Sequence, residues 1–128
     1  ENTLKAFIKG RDAINRKDYT TRDAAAADVR KNFELVNACS FISYMNQAKV
    51  AISDYAIKCH TLSEGFGFFL SLKYNSERKI SQTDFNTIEA NFKRNGKLSV
   101  AHLTVAEINT MIDKISEIYG LDAVKANL

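Results

Sequence analysis

The chain has 128 residues, of which 45% are hydrophobic and 26% charged. That suits one domain with a real core and excludes a disordered chain or a collagen-like repeat. Net charge is only +3, and with no helix-turn-helix pattern, RNA-binding signature or P-loop, no nucleic-acid partner is expected. No stretch approaches the roughly 20 apolar residues that span a bilayer, so no transmembrane segment is expected in this chain. Cys39 and Cys59 match neither a disulfide framework nor a metal spacing and read as buried free thiols. A first residue Glu1, without an initiator Met, reads as a processed chain or part of a longer protein.

There is no proline, and no run of Val, Ile and Thr alternates with polar residues, so helices should dominate. The expected fold is all-α: a single domain over residues 1–128, an antiparallel up-and-down bundle of about five helices. The first helix should cover Thr3 to Arg16, with Leu4, Phe7, Ile8, Arg11 and Ile14 forming one buried stripe. Arg11 on that stripe would need a partner, and Asp18, Asp23 or Glu64 could supply a structural ion pair. After a turn at Lys17–Thr20, a long helix from Arg22 to Ala51, capped by Thr21, should send Val29, Phe33, Val36, Ile42, Met45 and Ala48 inward.

Ser53 or Asp54 can cap a third helix to about Tyr74. Its apolar residues spread around the circumference, and residues 33–72 hold only five charges, so it should be central. Gly65 and Gly67 each cost about 1 kcal/mol in a helix interior, and close approach of a neighbour is the first explanation. A basic loop, Asn75 to Lys79, leads to Ser81 as cap of a fourth helix with Phe85, Ile88 and Phe92 inward; Asn95-Gly96 reads as its stop. Thr104-Val105-Ala106-Glu107 has the capping-box form, opening a fifth helix with Ile108, Ile112 and Ile115 that Gly120 closes. Asp122 should cap a last short turn.

Several stretches carry a resemblance: Phe7-Ile8-Lys9-Gly10-Arg11-Asp12-Ala13-Ile14, Lys17-Asp18-Tyr19, His60-Thr61-Leu62-Ser63-Glu64-Gly65-Phe66, Ser71-Leu72-Lys73-Tyr74-Asn75 and Arg78-Lys79-Ile80. Together they resemble the C-terminal half of a family of uncharacterised bacterial envelope lipoproteins whose members accompany imelysin-like, iron-regulated proteins. The resemblance covers most of the chain up to about Ile88. It implies an imelysin-like helical bundle, a periplasmic or outer-membrane location, envelope proteins of an iron-uptake system as partners, and a part in iron or haem acquisition. It implies no catalytic residues. Imelysin-like proteins show Gly-x-His-x-x-Glu; here Lys58 stands in place of the Gly, and Glu64 follows His60 by four residues rather than three.

On a helix that spacing puts His60 and Glu64 on one face, where they are candidate ligands of iron or zinc. Two ligands are too few, and Glu34, Asp54, Glu89 and His102 are the types near apolar stretches that could complete a site. The structural alternative is a His60 to Glu64 hydrogen bond bracing the helix. A His-Glu-x-x-His peptidase is excluded because the chain's two histidines lie forty-two positions apart. There is no Gly-x-Ser-x-Gly elbow. Phe66, Phe68 and Phe69 could line a haem or lipid pocket but fit a core better. Lys5, Lys9, Arg11, Arg16, Lys17 and Arg22, with Lys73, Arg78 and Lys79, could attract phosphate or anionic lipid but read better as a solvated helix face. The function expected is a non-catalytic accessory or ligand-binding domain; the competing reading is a structural or protein-interaction bundle.

Overall fold

A computed structural model describes residues 1–128 and shows five α-helices: α1 (Asn2–Asn15), α2 (Tyr19–Val50), α3 (Tyr55–Ser71), α4 (Gln82–Asn91) and α5 (Val105–Tyr119). Short 3-10 turns follow α3 at Leu72–Tyr74 and close the chain at Lys125–Asn127. The all-α class expected from sequence is the class observed. Gly10 lies opposite Ala25, and Gly65 opposite Met45. An added Cβ at Gly65 would also face the Phe41 carbonyl. The pairs Gly10–Ala25 and Gly65–Phe41 are each about equally distant from the turn between their helices, so α1 and α3 both run antiparallel to α2.

The caps are local chemistry. Asp18, not Thr21, opens α2 by accepting the Thr21 backbone N–H, which starts that helix three residues earlier than expected. Lys17 makes the preceding turn at φ 59°. Asp54 accepts the Ile57 N–H at the start of α3, and Ser81 accepts the Asp84 N–H at the start of α4. Thr104 and Glu107 form both halves of the capping box, and Gly120 ends α5 in the left-handed region.

Asn95-Gly96 does not stop a helix. Helix α4 ends at Asn91, and Asn95 and Gly96, both at positive φ, turn a hairpin between β1 (Lys93–Arg94) and β2 (Lys97–Leu98). Asn-Gly suits a two-residue hairpin turn that needs left-handed backbone at both positions, and it does so here without β-branched flanks.

At about 1.5 Å per residue, α2 is roughly 48 Å long, and its halves have different neighbours. From Ala38 onward it enters the main core with α3, α4 and α5, where Phe41, Phe69 and Phe92 are sealed from solvent. Phe69 packs face to face on Phe85 at 4.5 Å between ring centroids and also meets Phe41, Phe66 and Phe92. Gly65 is where α3 crosses α2: an added Cβ would run into the Met45 methyl and stand 3.2 Å from Tyr44 Cβ. Gly67 faces open space, so close approach accounts for one of the two glycines.

The first half of α2 packs on α1 instead. The expected stripe of Leu4, Phe7, Ile8, Arg11 and Ile14 is not buried: all five are exposed. Ala6 and Ala13 are the buried residues of α1, with Gly10 between them and its Cα-side space 3.4 Å from the Ala25 methyl. Small side chains let two helices approach closely, and that approach selects the Ala6, Gly10, Ala13 face over the bulkier one. Phe33 and Val36 of α2, expected inside, are exposed as well: the face of α2 turned toward the 75–79 loop and α5 here is the one that carries Glu34.

Candidate functional site

At the junction of the two halves of α2 stands Glu34, a carboxylate that is 5% exposed. Its Oε1 accepts the Tyr119 hydroxyl at 2.5 Å and the Lys79 backbone N–H at 2.7 Å. Its Oε2 accepts the Asn75 side-chain amide at 2.5 Å. Asn75 in turn accepts the Glu77 N–H, so one α2 carboxylate ties down the 75–79 loop and the end of α5 together. Burial, then the hydrogen bond to Glu34, pushes the Tyr119 phenol well above its ordinary range. The phenol therefore stays a donor. The cleft beside it, about 510 Å³, is lined by Asp28, Lys31, Glu77 and Lys79 among others. With both oxygens engaged by three donors, Glu34 is committed to holding chain segments together, the use that satisfies a buried charge.

His60 and Glu64 lie on the exposed side of α3. Hydrogen bonds on that stretch run instead from Thr61 to the Ile57 and Lys58 carbonyls and from Ser63 to the Cys59 carbonyl. The residues that could have completed a site are dispersed. Glu34 is in the clamp, Asp54 caps α3, Glu89 pairs with Lys93, and His102 meets Ser99. No three His, Cys, Asp or Glu side chains anywhere in the structure are placed to hold a metal ion. Cys39 and Cys59 are free and half-buried rather than sealed, and burial raises the Cys39 thiol above its ordinary value.

Phe66 and Phe69 belong with the aromatic core, and Phe68 stacks on Tyr44 at 5.4 Å. The buried ion pair expected at Arg11 does not form. Asp18 caps α2, Asp23 pairs with Arg22, and Arg11 is exposed. The Gly10 face turns toward α2, and the next residue points about 100° away from it.

That rotation creates the second candidate site. Phe7, Arg11 and Ile14 of α1 and Arg22, Val29 and Arg30 of α2 border a groove of about 470 Å³. Phe7 and Ile14 are each 55% exposed, beside a residue set that includes no acid. Sequence reasoning missed the groove because it assigned its apolar wall to the core. The available signal was Ala6, Gly10 and Ala13 recurring at helical spacing opposite the Ala24–Ala27 run.

A family model described as a domain of unknown function, DUF4856, matches residues 1–122. The chain belongs to that family. The match takes in all five helices, the Glu34 clamp and the groove, leaving only the final 3-10 turn outside. No characterised protein and no solved structure shows significant similarity to the chain. Family membership therefore brings no activity with it, and no helix here is long and apolar enough to cross a membrane.

Proposed function

We propose that this domain is a non-catalytic binding module of a bacterial cell-envelope protein and that it works by presenting the α1–α2 hairpin to another protein. One observation carries the reading: Leu4, Phe7, Ile8 and Ile14 stand exposed on a helix whose own contact face is only Ala6, Gly10 and Ala13. Isolated surface apolar residues are ordinary, but a contiguous apolar arc beside a groove marks an interaction surface. The envelope location rests on the resemblance to envelope lipoproteins described above. A role in iron or haem acquisition would, on this reading, run through the partner, since His60 and Glu64 stand exposed without a third ligand.

The test is site-specific photocrosslinking in the full-length protein in its native envelope, with the crosslinker at Phe7, at Phe33 or at Tyr55, an exposed residue on α3. The reading predicts one discrete adduct from Phe7 and Phe33 and none from Tyr55. Equal labelling at all three, or no adduct from the hairpin, contradicts it. Elemental mass spectrometry after incubation with iron and with zinc covers the competing case. Stoichiometric metal that His60→Ala abolishes would overturn the interaction reading in favour of a metal-handling domain.

A further inference from the structure

We propose that the α1–α2 groove receives one amphipathic helix of a partner protein, with an apolar stripe edged by Asp and Glu. This rests on the interaction reading above and adds the chemistry of the occupant.

The groove has the right length. Arg30 borders both it and an adjoining cleft of about 200 Å³ that holds Phe33 and Tyr74, so the apolar track continues along α2 from Arg22 to Phe33. Eleven residues at 1.5 Å rise make about 16 Å, which is three turns of a docked helix inserting side chains at i, i+3 or i+4, and i+7. It also has the right depth. Gly10 stands against Ala25 with room for little more than a methyl, since an added Cβ would lie 3.4 Å from the Ala25 methyl. This closes the groove floor, so it takes one ridge of side chains between Phe7 and Ile14 on one wall and Val29 and Phe33 on the other.

Charge selects the partner. Arg11, Arg22 and Arg30 border the α1–α2 groove, whose own lining holds no acidic side chain, and Glu34 in the adjoining cleft is already engaged by three donors. Arg11 has no ion-pair partner, whereas Arg22 is paired with Asp23 and Arg30 with Glu77. A second copy would bring the same arginines against these, so self-association on this face is opposed by like charge. An anionic membrane would be pressed against Asp23 and Glu77 as well as the arginines. A helix can set single carboxylates on Arg11, and exchange into the paired arginines, while its apolar stripe fills the groove. Aromatic and arginine anchors around an apolar centre are also the usual composition of strong protein contacts.

The experiment selects helical peptides from a displayed library in which a Leu stripe at i, i+4, i+7 and i+11 is fixed and the flanking positions are random, using the purified domain as bait. Enrichment of Asp and Glu at the flanks is expected. Affinity of a selected peptide should fall at least about tenfold on Arg11→Glu and on Val29→Asp, and a Glu→Lys version of the peptide should regain affinity for Arg11→Glu. These positions are solvent-facing or partly so, and unchanged far-UV circular dichroism and melting verify that the variants fold. No enrichment, enrichment without acidic flanks, or indifference to both substitutions overturns the proposal. So does dimerisation in sedimentation that Val29→Asp abolishes, which would assign the groove to a second copy. Flotation with phosphatidylglycerol vesicles that Arg11→Glu abolishes would overturn it in favour of a membrane. If hairpin adducts form in the envelope while acidic helices fail here, the interaction reading stands and only the partner's chemistry is wrong; if both fail, neither stands.

Discussion

The two ends of α2 show how one helix can serve opposite purposes. Its C-terminal half is buried by three other helices around Phe41, Phe69 and Phe92. Its N-terminal half packs mainly on α1, across the small residues Gly10 and Ala25, with Arg30 and Glu34 reaching the 75–79 loop. Phe41, Ile42 and Met45 of the core half are sealed, whereas Phe7 and Ile14 of α1 and Phe33 of α2 in the hairpin half stand exposed. Burial of a Leu- or Phe-sized side chain stabilises by about 1.5–3 kcal/mol, so the hairpin leaves stabilisation unclaimed that a partner can supply. Glu34 marks the boundary between the two regimes.

The largest effect that sharpens this contrast should come from a pair of Phe substitutions. Phe69→Ala should cost about 3–5 kcal/mol, the usual range for an aromatic removed from a sealed core, whereas Phe7→Ala should change stability by no more than about 0.5 kcal/mol. Urea unfolding of both variants measures this directly. Comparable losses would mean that the hairpin is as integral as the core.

At the boundary, Glu34→Ala should cost about 2–3 kcal/mol, because it leaves the Tyr119 hydroxyl, the Asn75 amide and the Lys79 N–H without their acceptor. Thermal unfolding would show the loss, and hydrogen exchange should rise in the 75–79 loop specifically. A change below about 0.5 kcal/mol would remove the clamp from the account.

The glycines of α3 give a smaller and signed comparison. Gly65→Ala should destabilise by about 1 kcal/mol at most, because the new methyl crowds Tyr44 Cβ next to the helix backbone, while the Met45 terminus can swing aside and alanine's helix propensity offsets part of the cost. Gly67→Ala should stabilise by about 0.5–1 kcal/mol, since nothing lies near it and alanine is the better helix former. Chemical denaturation of the two variants checks the sign at each position.

The smallest effect is confined to alkaline pH. The Tyr119 phenol is raised above its ordinary value of 10.0 by burial first and the Glu34 bond second. Its folded form therefore keeps a proton that the unfolded chain releases. Its contribution is complete below pH 10 and declines as pH rises beyond it. Tyr119→Phe should show a shallower loss of stability above pH 10 than the parent chain in parallel pH melts; parallel curves would contradict the coupling.

Much of this architecture could be read from the sequence because it is written locally. Thr104 with Glu107, Ser81 before α4, Asp54 before α3 and Gly120 after α5 are cap chemistry decided within four residues. Phe85, Ile88, Ile108, Ile112 and Ile115 followed helical periodicity into the core. The hairpin was misread because periodicity reports that a face is apolar and not which of two apolar faces is covered. On α1 the Leu4, Phe7, Ile8 arc is the more hydrophobic, but Ala6, Gly10 and Ala13 permit the closer approach to Ala25. The clamp was beyond local reading for another reason: Glu34 meets Asn75, Lys79 and Tyr119 across 41 to 85 positions of chain, and nothing near Glu34 announces those partners. His60 and Glu64 stood out by spacing alone, and spacing on an exposed helix face gathers no further ligands.

The claim that the chain is a sealed core carrying a hairpin with an unclaimed apolar face is tested most directly by native-state hydrogen exchange of the isolated domain across a urea series. The account predicts that the amides of α1 exchange through a local opening of low free energy, independent of the global transition, while those of α3 and α5 exchange only with it. Protection of α1 equal to that of α3 and α5, merging into the same global transition, would contradict it.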